Sequence, residues 1–190
     1  MTKYSINKPI TKIKVLVNSS KVKEKIKKLN KDGNVSIGEL IVYGLSEAIK
    51  EFPEFNSNYD KSLILKESQV IYFPMNLGKG TVSLILKNVE NLTVYEISKQ
   101  IKELALKAIH GEIVSEEIEP TFTLTNLYPL GITDISTPLY ESHSSVLSTS
   151  LKEPEKEDFE LNLCFDSRIS DCNNASKFLI RIKEIIEKSD

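Results

Sequence analysis

The sequence predicts an α+β layer architecture for residues 1–190, folded as a single domain. Helix-like and strand-like segments are mixed along the chain and do not alternate strictly, as they would in a doubly wound parallel sheet. The 190 residues are enough to bury one hydrophobic core, and no linker or repeat divides them. The content of 40% hydrophobic and 27% charged residues is typical of a globular protein.

The first predicted strand and helix differ in the period of their apolar residues. Residues 12–17 alternate between apolar and more polar positions, which indicates a strand. Residues 21–31 are rich in lysine and predict a helix that ends near Gly33. Apolar residues at helical spacing predict that the lysines form its solvated face rather than a nucleic-acid site. These apolar residues are Val22, Ile26 and Leu29.

Two longer helices are predicted from capping boxes. Ser36 and Glu39 have the spacing with which each side chain satisfies a backbone N–H at a helix start. The apolar positions that follow predict a buried face, and Pro53 ends this helix. Thr93 and Glu96 have the same spacing and predict the longest helix.

The remaining elements are short strands and one C-terminal helix. The charged residues 152–158 predict the turn of a hairpin between the last two strands. A helix from about residue 173 to 188 has a regular apolar face. The predicted strands are residues 62–65, 70–73, 81–86, 121–126, 145–150 and 159–165.

Composition excludes several classes of function. Acidic and basic residues nearly cancel, 27 against 25, which argues against a general nucleic-acid binder. No apolar run approaches the roughly 18 residues of a membrane span, and no signal peptide is recognisable, so a cytoplasmic location is expected. Cys164 and Cys172 are expected to be buried, reduced thiols. His110 and His143 have no metal-ligand spacing, so no metal site is expected.

The segment Asp-Ser-Arg-Ile-Ser-Asp-Cys at residues 166–172 carries a family resemblance. It is similar to the Asp-His-Arg-x-x-Asp-Gly signature of the dihydrolipoyl acyltransferases, the catalytic cores of 2-oxo acid dehydrogenase complexes. Residues 48–57 resemble the Phe-Pro-x-x-Asn segment of that family, and residues 88–98 the entry to its next long helix. Residues 121–127, Thr-Phe-Thr-Leu-Thr-Asn-Leu, resemble Thr-Phe-Thr-x-Ser-Asn-Leu. Together these segments extend the resemblance over residues 10–188.

The resemblance implies the chloramphenicol-acetyltransferase-like fold, a mixed sheet with helices packed on it, assembled as a trimer. In that fold coenzyme A and a lipoyl-lysine enter opposite ends of a channel at each subunit interface. One subunit supplies a histidine base, and its neighbour supplies the hydroxyl that binds the oxyanion. Thr125 matches this hydroxyl, Arg168 matches the signature arginine, and Asp171 matches the signature aspartate, which supports the active-site loop.

The departures from the family pattern concern the chemistry directly. Ser167 replaces the catalytic histidine, as in the noncatalytic component called protein X, and Cys172 replaces the glycine. The N-terminal arm of the family is expected to be missing or reduced. No lipoyl or peripheral-subunit-binding domain is expected, so this chain would carry no lipoyl group. A serine hydroxyl cannot accept a proton near neutral pH without a base of its own.

Three hypotheses follow from this replacement. The favoured hypothesis is an acyltransferase that is inactive or weak and serves as a binding and assembly protein. It would form a homotrimer or join an active acyltransferase, and it would retain coenzyme A or an acyl-coenzyme A as its ligand. The alternative is an active acyltransferase with a displaced base such as His143, or with Cys172 as a nucleophile. In the third, trimerisation supports an unrelated partner.

Overall fold

In the part of the chain that the structure describes, the fold is an α+β architecture of one six-stranded mixed sheet, a two-stranded hairpin and four helices, as predicted. The computed structural model describes residues 4–5, 7–31, 34–76, 80–112, 118–152 and 157–188. The helices are α1 (Ser19–Leu29), α2 (Ile37–Glu51), α3 (Val94–Ile109) and α4 (Cys172–Glu187). The strands are β1 (Ile10–Val17), β2 (Ser57–Asp60), β3 (Ser62–Leu65), β4 (Ile71–Asn76), β5 (Thr81–Leu86), β6 (Phe122–Asn126), β7 (Ser145–Leu151) and β8 (Phe159–Asp166).

The six-stranded sheet has the order β1-β8-β7-β6-β4-β5. β6 runs parallel to both of its neighbours, β4 and β7, and the other pairs are antiparallel. β7 and β8 pair along their lengths, which confirms that the last two predicted strands form a hairpin. Residues 153–156 of its predicted turn lie outside the described residues, as does Gly33.

The two faces of this sheet differ in polarity. The side chains at alternate positions of β8 that face the helices are aromatic or leucine, and they join one buried apolar cluster with α2, α3 and α4. The other face of β8 carries Glu160, Asn162, Cys164 and Asp166, all of them buried. Paired strands keep this alternation in register, so the opposite face of the sheet is largely polar.

Both predicted capping boxes are present. The Ser36 N–H donates to Glu39 at 2.6 Å, and the Glu39 N–H donates to the Ser36 hydroxyl at 3.4 Å. The corresponding distances for Thr93 and Glu96 are 2.8 Å and 3.3 Å. These bonds satisfy donors that have no partner inside the helix, which is why the sequence signal predicted both helix starts.

The β2–β3 hairpin was predicted only in part. β3 was expected, but β2 was not, because its sequence, Ser-Asn-Tyr-Asp, shows no apolar alternation. Lys61 turns the chain between the two strands with a φ of 60°. Within the described residues, no helix combines the length and hydrophobicity that crossing a bilayer requires.

Candidate active site

The signature segment forms the connection between β8 and α4. Asp166 is the last residue of β8, Ser167 and Arg168 lie in the turn, and Asp171 is the residue before the first turn of α4. The Asp171 carboxylate accepts a hydrogen bond from the Asn174 N–H at 2.8 Å, and so caps the helix. Asp171 therefore supports this loop as a helix cap, and no ion pair to it occurs among the described side chains.

Ser167 is exposed and is held against the segment that precedes β1. Its N–H donates to the carbonyl oxygen of Pro9 at 2.9 Å. Its hydroxyl lies 2.6 Å from the Thr11 hydroxyl and 3.3 Å from the same Pro9 carbonyl. A carbonyl and a second hydroxyl do not remove a proton near neutral pH. Among the described residues, no imidazole or carboxylate activates the Ser167 hydroxyl.

An ion pair fixes the turn around Ser167. The Asp166 carboxylate is fully buried and accepts from Arg168 Nε at 2.9 Å and from Nη2 at 2.6 Å. The Arg168 backbone N–H adds a third hydrogen bond at 3.0 Å. The guanidinium carbon also lies 4.4 Å from the ring centre of Tyr59 on β2. Hydrogen bonding to Asp166 raises the pKa of Arg168, so the guanidinium remains charged.

Lys8 ties the N-terminal segment to the loop that precedes β7. Its ammonium group donates to the carbonyl oxygens of Tyr140 at 2.8 Å and His143 at 2.9 Å, and to Asn58 Oδ1 at 2.8 Å. Burial lowers the pKa of Lys8, although the nearby Asp166 carboxylate opposes this shift. Sequence reasoning missed Lys8, Thr11 and Tyr59, because their roles arise from contacts between distant segments and no local motif marks them.

Thr125 lies on β6, on the face of the sheet opposite the helices. It is directly opposite Ser148 on β7, which is in turn opposite Asn162 on β8. The side chain is partly exposed, and no hydrogen bond to its hydroxyl occurs among the described residues. The hydroxyl is therefore free to donate to a ligand.

The structure separates Thr125 from the signature loop within one chain. Ser167 lies five residues beyond Asn162, or about 17 Å along the strand, and β6 lies two strands from β8, or about 10 Å across the sheet. Of the predicted site residues, Ser167 and Asp171 lie on one loop, and Thr125 lies elsewhere. A single chain cannot bring Thr125 and Ser167 to one reacting group.

His143 is fully buried and does not reach Thr125 or Ser167. Its ring nitrogens lie 2.9 Å from the Thr123 hydroxyl and 3.0 Å from the Ser142 hydroxyl. Burial, reinforced by the charge of Lys8, lowers the pKa of His143 to about 3. Thr123 and Thr125 share one face of β6 at about 7 Å, but the imidazole is occupied by protein hydroxyls.

The two cysteines differ in exposure. Cys164 is buried on β8, as predicted, but Cys172 is exposed at the first position of α4. The prediction that both thiols are buried is therefore wrong for Cys172. The first turn of α4 projects beyond the core here, and the buried face of this helix begins only at Ala175. No group of three or more metal-ligating His, Cys, Asp or Glu side chains occurs in the part of the chain that the structure describes.

Comparison with known proteins gives consistent matches. The sequence model of the family "2-oxoacid dehydrogenases acyltransferase (catalytic domain)" matches residues 1–190. The succinyltransferase component of the 2-oxoglutarate dehydrogenase complex of Buchnera aphidicola subsp. Schizaphis graminum is 30% identical over 159 residues, 77% of this chain and 40% of that protein. The acetyltransferase component of the Rickettsia felis pyruvate dehydrogenase complex is 25% identical over 170 residues, 83% of this chain and 41% of that protein. The chain thus spans about 40% of the length of these relatives.

Solved structures share the fold. A probable dihydrolipoamide acetyltransferase from Listeria monocytogenes has a TM-score of 0.83 at 22% identity, over 96% of this chain and 86% of that one. The cubic core of the pyruvate dehydrogenase multienzyme complex has a TM-score of 0.78 at 19% identity, over 96% and 83%. A chloramphenicol acetyltransferase has a TM-score of 0.64 at 16% identity, over 94% and 89%. These likenesses confirm the predicted chloramphenicol-acetyltransferase-like fold.

Proposed function

Because this chain belongs to the family of 2-oxoacid dehydrogenase acyltransferase catalytic domains, we propose that it is a binding and assembly member whose acyl-transfer activity is lost or greatly weakened. In this proposal Ser167 stands where active relatives carry the histidine base. The chain forms trimers, alone or together with an active acyltransferase. Coenzyme A or an acyl-coenzyme A is its ligand.

The surroundings of the Ser167 hydroxyl support the proposed loss of acyl-transfer activity. A thiol with a pKa of about 8.5 is only a few per cent ionised at neutral pH, so transfer between thiols needs a positioned base. Such a base is worth about 10²–10⁴ in rate. Among the residues that the structure describes, the Ser167 hydroxyl has hydrogen-bond partners only in the Pro9 carbonyl and the Thr11 hydroxyl, neither of which accepts a proton near pH 7. The proton of an attacking thiol therefore has no acceptor at this position.

The position of Thr125 supports the assembly half of the proposal. Its hydroxyl is suited to stabilise an oxyanion, but it lies on a different part of the chain from Ser167. A channel lined by both residues requires two copies. One protein of the same fold is the cubic core of a multienzyme complex, so the fold supports large assemblies elsewhere.

The test is an acyl-transfer assay with acetyl-coenzyme A and dihydrolipoamide, in which the release of coenzyme A is followed. The wild-type protein should be no faster than Ser167→Ala. Ser167→His should raise the rate by about 10²-fold or more, because the base is restored. Adding Thr125→Ala to Ser167→His should remove most of that gain, because the oxyanion loses its donor.

Wild-type turnover well above that of Ser167→Ala would contradict the loss of activity. The exposed Cys172 thiol favours one specific alternative, an acyl-cysteine intermediate. Its thiolate would attack the thioester carbonyl, coenzyme A would leave as a thiolate and take up a proton, and the acyl group would then pass to the acceptor thiol. Turnover that disappears in Cys172→Ser would support this route, whereas turnover lost only in His143→Gln would support a displaced base.

A further inference from the structure

The helices enclose a groove between α1 and the start of α3, over α2. α1 packs against α4 and α2, whereas α3 packs against α2 and β5, so α1 and the start of α3 do not close on each other. The groove has a volume of about 490 Å³. We call it the helix groove and define it by its apolar lining, which consists of Leu29, Leu40, Tyr43, Leu92 and Val94.

The lining of the helix groove is part of the fixed structure of the protein. Leu40 and Val94 are buried in the main apolar cluster, and the other three apolar residues are partly buried against it. The Tyr95 hydroxyl donates to the Leu29 carbonyl at 3.0 Å and so ties the start of α3 to the end of α1. Small-molecule sites are typically preformed, mostly apolar and about 300–1,000 Å³ in volume. The helix groove therefore has the size and lining of such a site.

The two carboxylates of the helix groove already have partners. Glu47 accepts a hydrogen bond from the Lys50 ammonium group at 2.5 Å. Glu90 accepts from the Gln69 N–H at 2.9 Å. A cationic ligand would have to compete with these donors for each carboxylate. The acidic residues of the groove therefore do not favour a cation.

The lysines contributed by α1 favour an anion instead. Lys28 lines the groove, and the ion-pair partner that the described residues provide for it is Glu24, at 3.7 Å on the same helix. Both side chains are at least half exposed, so water and salt weaken this pair. Lys25, one turn earlier, also lines the groove, and the Ile185 carbonyl holds its ammonium group at 2.7 Å. A negatively charged group at the mouth of the groove thus meets two lysines of α1.

We infer that the helix groove binds a small amphipathic anion, a carboxylate on an apolar chain such as a medium-chain fatty acid. The chain lies against Leu40 and Val94, and the carboxylate pairs with Lys28. Two turns of a partner helix, about 10 Å wide and 11 Å long, would exceed the volume of the groove. The groove lies among the helices, on the side of the sheet opposite Thr125, so this binding does not depend on the proposed acyl-transfer site.

Isothermal titration calorimetry with decanoate and with decylammonium tests the charge preference. The wild-type protein should bind one decanoate per chain, and decylammonium at least about tenfold more weakly, because the two probes share the apolar chain and differ in charge. Lys28→Glu should weaken decanoate binding about tenfold, since an attraction becomes a repulsion. Lys27→Glu is the matched control: the neighbouring lysine is exposed and does not line the groove, so the affinity should stay unchanged. Absence of decanoate binding, equal binding of both probes, or equal effects of the two variants would overturn the inference.

Leu92→Trp tests the location of the ligand, because the larger side chain fills the helix groove. This variant should lose decanoate binding, and its mass in light scattering should equal that of the wild-type protein. Undiminished binding would overturn the location. A lower mass would show that a second copy covers the groove and would overturn the small-molecule site. Circular dichroism verifies that each variant is folded, and if Leu92→Trp is not, the comparison of Lys28→Glu with Lys27→Glu decides alone.

Discussion

At the scale of single residues, burial decides what His143 can do. Its imidazole contacts Thr123, two residues before Thr125 on β6, but it does not come within reach of a proton at Thr125. Both nitrogens are instead occupied by the hydroxyls of Thr123 and Ser142, and the Tyr140 ring lies 5.0 Å away. The neutral imidazole therefore connects β6 to the loop that precedes β7, and it supports the fold rather than catalysis.

The buried, neutral imidazole of His143 should make the stability of the protein depend on pH. The pKa of His143 is about 3 in the folded protein and about 6.5 in the unfolded chain, so the unfolded state binds the proton more tightly. The stabilising contribution is complete above pH 6.5 and falls by about 1.4 kcal/mol per unit as the pH is lowered toward 3. Between pH 6.5 and 5, the wild-type protein should lose about 2 kcal/mol more than His143→Gln does. Urea unfolding at several pH values measures the difference, and equal losses in the two proteins would contradict it.

At the scale of elements, the contact between α2 and α4 depends on Gly44. A Cβ atom at this position would lie 2.7 Å from Ile186 Cγ2, a branch close to the backbone of α4 that cannot easily move. Alanine in place of glycine inside a helix normally stabilises by about 1 kcal/mol, but overpacking costs about 1–3 kcal/mol. Gly44→Ala should therefore lower the free energy of unfolding by up to about 2 kcal/mol, measured with urea. Adding Ile186→Leu, which removes the branch, should recover part of this loss. A Gly44→Ala protein that is more stable than wild type would contradict the close contact.

The elements also show which features were predictable from the sequence. Capping boxes and apolar spacing are local signals, and they placed α2, α3 and α4 close to their observed ends. β2 was missed because its pairing depends on β3 and not on its own residues. The signature predicted that Ser167 and Asp171 lie on one loop. The distance between Thr125 and Ser167 depends on the register of β6, β7 and β8, which could not be predicted from the sequence. The exposure of Cys172 likewise depends on where the core ends.

At the scale of the whole molecule, Ser167 and Thr125 are held in place by different contacts. The Ser167 loop depends on the buried Asp166 carboxylate and its ion pair with Arg168. Thr125 depends on the parallel pairing of β6 with β7. Among the described residues, no hydrogen bond or ion pair joins the side chains of Asp166 and Arg168 to those of β6, so a change at one of these places need not disturb the other. In the proposed function, a complete site is therefore a property of the assembly.

Coenzyme A binding should consequently require assembled protein. A ligand that binds only the native state stabilises it by RT ln(1 + [L]/Kd), which is about 2.7 kcal/mol at 100 times Kd. Coenzyme A should raise the thermal unfolding midpoint of the wild-type protein at concentrations at which it is assembled, but not after dilution to single chains, because in this proposal the ligand contacts two copies. Ser167→Ala should keep the shift, because the Ser167 hydroxyl is hydrogen-bonded to Thr11 and to the Pro9 carbonyl and is not needed to hold the ligand. Differential scanning fluorimetry with and without coenzyme A provides the measurement. A full shift in protein diluted to single chains would place the binding site within one copy, and the division of the site between copies would then be wrong.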